Sequence, residues 1–491
     1  MNIKSFFSYL NLTKFDYLTC IFACAFIFQG LVVTQLMEDK VCLNDLKLDP
    51  DFCRNFASHA NSSETQEILR TANSFKRWQN FVTNAPSLVV SIFMGYWLGN
   101  YPKYFKLMMI VPFIGGIGMI ILLLINLFAF KTPWWGLLVA YSPYSLSGGT
   151  TLLFSAVYTS TTWGTPSHLV IVRFGVLEFL AKMSMLSSSY ASGKVLAMSP
   201  WISGQSKNYV GVLIVSMALY LFGLLVTILM KPAFTYEKKP EKENATLSQI
   251  VSDVFRISRV KECIFLITKQ RPNQGRLRLI LLLTSGAICN ASISGEDGIA
   301  YQFAQRVYGL TEDAYTSMLT LVYIPPTIAT SIAPSILKYL GLSDSSIAIF
   351  GSLSLAAFFT IRGLFLSIRG YIAGYVIGSC GRIASVAIRS LIVFTIPSNE
   401  SAQVFTISTA LETLFGLGAV FLYTTIFSAT IADHPGVVMV CVGAAVLYPL
   451  SVSCWIRLVQ SKSIVDAPEV NLGSKLSISE DKEANLSNIA V

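Results

Sequence analysis

The amino-acid sequence predicts an all-α membrane protein that crosses the bilayer twelve times, as two sets of six helices joined by a polar linker. Three observations predict it. Hydrophobic residues fill 53% of the 491 positions and charged residues only 13%, against ~25% charged in a soluble domain. Apolar runs of about 20 residues, the length that crosses the hydrocarbon core, recur along the chain. The loops between them alternate between basic and acidic.

The first run, Tyr17–Met37, is longer than the ~7–15-residue core of a cleavable signal peptide and reads as a span. Trp78–Leu98, Leu107–Phe130, Trp134–Thr159, Leu169–Tyr190 and Val210–Met230 complete a first set. A polar stretch, Lys231 to Arg276, follows. Leu277–Ile293, Tyr315–Leu337, Ser345–Leu364, Tyr371–Val393, Val404–Ala429 and Val437–Trp455 form the second set. Within the linker, Leu247, Ile250, Val251, Val254 and Phe255 recur at helical spacing and predict an amphipathic helix on the membrane surface. The chain therefore divides into an N-terminus (1–16), a six-helix bundle (17–230, with an outer loop at 38–77), a linker (231–276), a second bundle (277–457) and a disordered polar tail (458–491).

Charge fixes the expected orientation. Lys103 and Lys106 share a loop without acids, and the linker holds ten Lys and Arg between Lys231 and Arg276. Glu38, Asp39, Asp45, Asp49 and Asp51 crowd the first loop, and Glu296, Asp297, Glu312 and Asp313 follow the seventh span. Basic loops face the cytosol, which puts both termini there, as an even span count also requires. The net charge of +9 follows from this bias. A nucleic-acid partner is excluded, because no basic-aromatic module or zinc spacing accompanies the charge.

Cys42 and Cys53 share the acidic first loop with the sequon Asn61-Ser62-Ser63, which suggests an oxidising, glycosylated face. A Cys42–Cys53 disulfide is the favoured reading and free thiols the other. The remaining seven cysteines read as small hydrophobes. No nucleophile elbow, H-E-x-x-H spacing or phosphate loop points to an enzyme, a cofactor or a bound metal. Two six-helix halves around a long linker is the layout of the major facilitator fold, with its central site.

Several motifs narrow the comparison: Lys40-Val41-Cys42; Ser147-Gly148-Gly149 with Tyr158; Arg173-Phe174-Gly175-Val176-Leu177-Glu178; Lys269-Gln270-Arg271-Pro272-Asn273; Gly295-Glu296-Asp297; Arg389-Ser390-Leu391; Glu400 with Val404-Phe405 and Leu411-Glu412; and Ala432-Asp433-His434-Pro435-Gly436. In this order on these spans, the sequence resembles the proton-coupled folate transporter family, which includes the thymic stromal cotransporters. The resemblance implies proton-coupled uptake of folate-like or conjugated organic anions. It also implies that Glu178 couples protons and that Arg389 handles substrate. Three positions depart from the pattern. Gly99 stands where the superfamily loop between spans two and three has aspartate, leaving Gly95 and Lys103 of that gating loop. Thr161 replaces an acid after Tyr158, and Ser292 stands near the position of a seventh-span histidine.

A charge at bilayer depth costs about 2.5–3.5 kcal/mol, so each marks a candidate site. Here these are Glu178, Lys182, Arg382, Arg389 and Glu412. Glu178 either carries protons or is held in a pair with Lys182, four residues on. Arg382 and Arg389 lie seven residues apart, two turns along one helix face. Either they bind a carboxylate or phosphate in a bidentate fork, or one pairs with Glu412. Arg173, Lys182, Glu412 and Asp297 make up the expected charge network, with Glu296 and Asp297 read as solvated acids at the outer mouth. Gln29, Tyr323 and Asn290 are expected to line the cavity or to bond between helices. Gly148-Gly149 and Pro325-Pro326 are expected to pack closely or break helices. The functional expectation is a monomeric plasma-membrane carrier of small organic anions working by alternating access, with a lysosomal site also open. A facilitative uniporter and a non-transporting receptor are the alternatives.

Overall fold

The structure, a computed structural model, describes residues 14–54, 63–166, 169–202, 207–230, 247–272, 274–310, 312–430 and 433–465. The N-terminal bundle contains α1 (Lys14–Lys40), the short α2 (Pro50–Arg54), α3 (Ser63–Asn100), α4 (Phe105–Phe128), α5 (Gly136–Val139), α6 (Ser142–Leu146), α7 (Gly149–Gly164), α8 (Val170–Leu196) and α9 (Tyr209–Leu229). The linker forms α10 (Leu247–Val254) and α11 (Ile257–Thr268). The C-terminal bundle contains α12 (Gly275–Asp297), the short α13 (Ala300–Tyr308), α14 (Glu312–Tyr339), α15 (Asp344–Leu364), α16 (Ile368–Ile377), α17 (Ile383–Thr395), α18 (Ser401–Thr430) and α19 (Val437–Val465).

Among the described residues, nine helical segments are long and apolar enough to cross a membrane. Three further spans complete the two sets of six. They are the interrupted run α5–α7, α8 with its intramembrane charges, and the proline-bearing α14.

Two spans break where backbone chemistry requires it. Gly148 and Gly149 adopt φ of +82° and +45° between α6 and α7, a left-handed region that residues with a Cβ enter at a cost. The tenth span is interrupted by a 3-10 turn at Gly378–Cys380. By contrast, Pro325 and Pro326 do not break α14, which continues through them to Tyr339.

Four expected boundaries move. Within the segment read as outer loop (38–77), α3 is already helical from Ser63, and its membrane-length apolar part starts at Ser74. Ile68, Ala72 and Phe75 recur at helical spacing and are buried, while the polar residues between them hide the segment from an apolar-run count. The linker folds as two helices instead of one; Ile250, Val254 and Cys263 are buried, and Arg256 has extended backbone between them. The first span begins before Tyr17, at Lys14. The last runs past 457 to Val465, and residues 466–491 lie outside those described, as does the glycosylation candidate Asn61.

The face of the molecule where α3 and α7 end and α8 begins is the linker face; the opposite one carries a Cys42–Cys53 disulfide. Lys40 fastens that disulfide face by donating to Thr132 O at 3.0 Å and Thr132 Oγ1 at 2.8 Å. At the linker face, Arg173 donates Nε to Asp16 Oδ2 at 2.9 Å and Nη2 to Oδ1 at 3.2 Å. Both side chains are buried, so the start of α1 and the start of α8 are joined by a bidentate pair. Arg173 was expected in the central charge network; it sits here instead, because Asp16 reaches it first.

Removing one partner leaves a buried charge, which costs about 3–5 kcal/mol, whereas a well-packed apolar pair in its place is close to neutral. Arg173→Leu is therefore expected to lower the thermal unfolding temperature in detergent, and the double change Asp16→Leu/Arg173→Leu to recover most of the loss. A double variant as unstable as the single one would show that the pair is not what joins these helices.

Candidate functional site

The two bundles meet along α3 with α18, α7 with α18, and α8 with α14 and α17. The approach of α3 to α18 is close. A Cβ at Gly95 would lie 2.7 Å from Thr406 Cβ, and one at Gly99 would lie 2.7 Å from Gln403 Cγ. An aspartate at position 99 therefore has no room here. The hydroxyls of Ser155 and Thr406 are 2.5 Å apart and those of Thr151 and Thr413 are 3.3 Å apart. Trp163 Nε1 donates to Ser398 O at 3.0 Å, and the Phe405 ring lies 6.0 Å from Tyr158 and 5.9 Å from Phe174. The contacts of Gly95, Gly99, Trp163, Phe174 and Phe405 lie near the linker-face ends of their helices.

Arg389 is the centre of this interface. Its Nη1 donates to Glu178 Oε1 of the other bundle at 2.6 Å, and its Nη2 to Glu412 Oε2 of its own bundle at 2.9 Å. The guanidinium carbon lies 4.6 Å from the centroid of the Tyr158 ring, a cation–π contact. Tyr158 Oη in turn donates to Glu178 Oε1 at 3.2 Å, and Ser408 Oγ donates to Glu412 Oε1 at 3.3 Å. Arg389 thus spends both terminal nitrogens on carboxylates. Of the two readings of this arginine, the structure has the pairing with Glu412; its buried Nε has no hydrogen-bond partner among the described residues.

Glu178 does not pair with Lys182. The Arg389 fork reaches it from the facing bundle, and Lys182 Nζ lies 3.9 Å from Met185 Sδ instead. Arg382 is the N-cap of the helix that carries Arg389, just after the 3-10 turn. Arg382 lies with its guanidinium carbon 5.9 Å from the Tyr323 ring. Tyr323 Oη donates to Asp297 Oδ1 at 3.2 Å, and Asp297 is exposed at the end of α12. Among the described residues, neither Lys182 nor Arg382 has an acidic partner within 4.0 Å. Both are half-buried. They lie on α8 and at the N-cap of α17, helices that pack against each other across the bundle interface.

The other polar candidates separate. Gln29 is buried in the N-terminal bundle; its Oε1 accepts from Tyr141 Oη at 3.1 Å and its Nε2 donates to Phe26 O at 3.0 Å. That makes it an interhelical bond, with Gln79 donating to the same tyrosine. Asn290 is half-buried on α12.

Two buried acids and their partners escaped the sequence reading. Glu296, expected to be a solvated loop acid, is buried and accepts from Arg362 Nη1 at 2.8 Å. The Arg362 guanidinium carbon is caged by the rings of Phe358, Tyr371 and Tyr375 at 4.7, 4.9 and 5.0 Å. Arg362 lies within the expected ninth span, so the rule for intramembrane charge already pointed to it. Asp344 accepts from Ser390 Oγ at 2.5 Å and pairs with Lys338.

The gating loop has a different partner from the one its lost aspartate would supply. Tyr101 Oη donates to Asp253 Oδ2 on α10 at 2.7 Å, and Arg259 Nε on α11 donates to Asp253 Oδ1 at 3.0 Å. The Arg259 guanidinium carbon lies 4.9 Å from the Tyr96 ring. Burial, then the bond to the Asp253 carboxylate, push the Tyr101 phenol up to about 12, so it remains a donor throughout the physiological range. Lys103 lies outside this cluster, 5.8 Å from the Tyr104 ring.

No protein-family model matches the chain, and no curated protein matches it in sequence. Solved structures do match. The human organic anion transporter MFSD10 (TETRAN) superposes with a TM-score of 0.67 at 9% identity, covering 90% of this chain and 99% of that one. The E. coli fucose:proton symporter FucP gives 0.61 at 10%, covering 91% and 98%. The proton:xylose symporter XylE, bound to 6-bromo-6-deoxy-D-glucose, gives 0.59 at 14%, covering 90% and 95%. Matching these structures over nine-tenths of its length, the chain has the fold of the major facilitator superfamily transporters.

Proposed function

We propose that this protein is a carrier of small organic anions that works by alternating access, and that Lys182 and Arg382 together hold the anion. The observation that carries this reading is the pair itself. One half-buried cation comes from each bundle, neither with an acidic partner among the described residues. Uncompensated charge at bilayer depth is expensive, and it persists where a ligand or a water-filled cavity compensates it. A carboxylate or phosphate between them would accept a bidentate fork from Arg382 and a point charge from Lys182. A ligand bound by both bundles couples its occupancy to their relative position, as alternating access about a central site requires. The likeness to an organic anion transporter agrees with this class of substrate, and folate-like or conjugated solutes fit the family resemblance.

Glu178 has the coupling role in this scheme. It bridges Arg389 across the interface and lies next to Lys182 in sequence and in charge. A proton on Glu178 would remove one half of the inter-bundle ion pair and loosen the linker-side contacts. With both termini in the cytosol of the plasma membrane, the linker face is the cytosolic one, and the arrangement described is closed to the cytosol. The linker clamp of Tyr101, Asp253 and Arg259 then stands in for the missing loop aspartate.

Two outcomes test this reading. In vesicles screened with labelled organic anions, Lys182→Gln and Arg382→Gln are each expected to cut uptake of the accepted anion about tenfold or more, the loss of one charge-assisted bond. Normal uptake by both variants, properly folded, would move the site elsewhere. Under an imposed gradient, acid outside is expected to raise wild-type uptake, and Glu178→Gln to abolish that pH dependence. Uptake that ignores pH in wild type and variant alike would favour the uniporter.

A further inference from the structure

A cavity of about 470 Å³ lies at the linker face of the C-terminal bundle. Its rim is basic: Lys269, Arg271 and Arg278 face one carboxylate, Glu400. Its floor is apolar, with Leu282, Leu391 and Ile456 from α12, α17 and α19. Arg271 Nη2 donates to Glu400 Oε2 at 2.7 Å and to Leu266 O at 2.9 Å. Lys269 Nζ reaches Glu400 Oε1 at 3.3 Å. Glu400 is thus neutralised, and the rim keeps an excess of two positive charges (three cations less one carboxylate). Only 8% of the Arg271 side chain is exposed, yet its Nε has no hydrogen-bond partner, and neither does the buried Nε of Arg278.

Buried guanidinium donors without acceptors are costly unless something accepts from them. Water could satisfy one such donor. Two donors from separate guanidiniums, an excess of two charges and an apolar floor match an anion with several acceptor oxygens and a hydrocarbon part. The volume falls in the ~300–1,000 Å³ range of small-ligand sites. We propose that this cavity binds a phosphate ester, through Arg271 and Arg278, with Lys269 closing the rim. The same chemistry is offered by the headgroup of an anionic phospholipid and by a soluble phosphate ester, and the linker face is open to both.

The full-length protein in detergent micelles is titrated with dioleoyl phosphatidic acid, with dioleoyl phosphatidylcholine and with glycerol 3-phosphate, and bound ligand is read by native mass spectrometry. Phosphatidic acid is expected to bind at one site and phosphatidylcholine at least about tenfold more weakly, since its added cation opposes the rim. Arg278→Gln, whose Nε breaks no existing bond, is expected to weaken phosphatidic acid about tenfold. Displacement by glycerol 3-phosphate identifies a soluble ester as sufficient, and its absence identifies a lipid; either result supports the site. Equal binding of the two lipids overturns the proposal, as does unchanged binding by Arg278→Gln or no binding of either phosphate probe. Thermal unfolding checks that Arg278→Gln is folded, and Lys269→Gln on the exposed rim is read in its place if it is not.

Discussion

Arg389 carries a single positive charge between two carboxylates, Glu178 of the facing bundle and Glu412 of its own. At a depth where one uncompensated charge costs about 2.5–3.5 kcal/mol, none of the three can leave the cluster without a replacement partner. The Tyr158 ring and hydroxyl complete the shell around it. That ion pair joins α8 to α17, while α3 approaches α18 closely at Gly95 and Gly99. The remaining linker-side contacts are short hydroxyl bonds and ring packing. Because these are individually weak, the arrangement of the bundles depends on whether Arg389 keeps its partner across the interface.

The same constraint sorts the other charges. Arg389 is committed to carboxylates, whereas among the described residues Lys182 and Arg382 have no acidic partner within 4.0 Å. Arg173 and Arg362 are each held inside a single bundle, by Asp16 and Glu296. Each of these pairs stabilises its own bundle as a unit. The linker belongs to the interface instead, because Asp253 and Arg259 grip the end of α3 at Tyr101 and Tyr96.

The span count and the division into six and six were legible in the sequence, because a run of about 20 apolar residues matches the thickness of the hydrocarbon core and little else in a folded chain. What failed were inferences that assumed shared or local partners. Arg382 and Arg389 do lie on one helical stretch, with Arg382 at its N-cap, but they take different partners, the Tyr323 ring and the two carboxylates. The spacing of Glu178 and Lys182 suggested a pair, but the stronger partner comes from the other bundle, which no local spacing records. The outer start of α3 was missed because Ile68, Ala72 and Phe75 are buried on one side of an otherwise polar helix. Glu296 was read by its place at the end of a span, and its partner Arg362 was legible from depth alone. Gly99 was read as a lost aspartate; the contact with Gln403 shows the packing that excludes one.

The most direct test of the Arg389 link is the distance between the bundles at each face. Spin labels at Lys103 and Asn399 report the linker face, and labels at Lys131 and Thr425 the disulfide face, in a background lacking the unpaired cysteines. Wild type is expected to give one short distance at the linker face. Arg389→Gln is expected to add a longer distance there and a shorter one at the disulfide face. Distance distributions unchanged at both faces would contradict the claim that this arginine holds the bundles together.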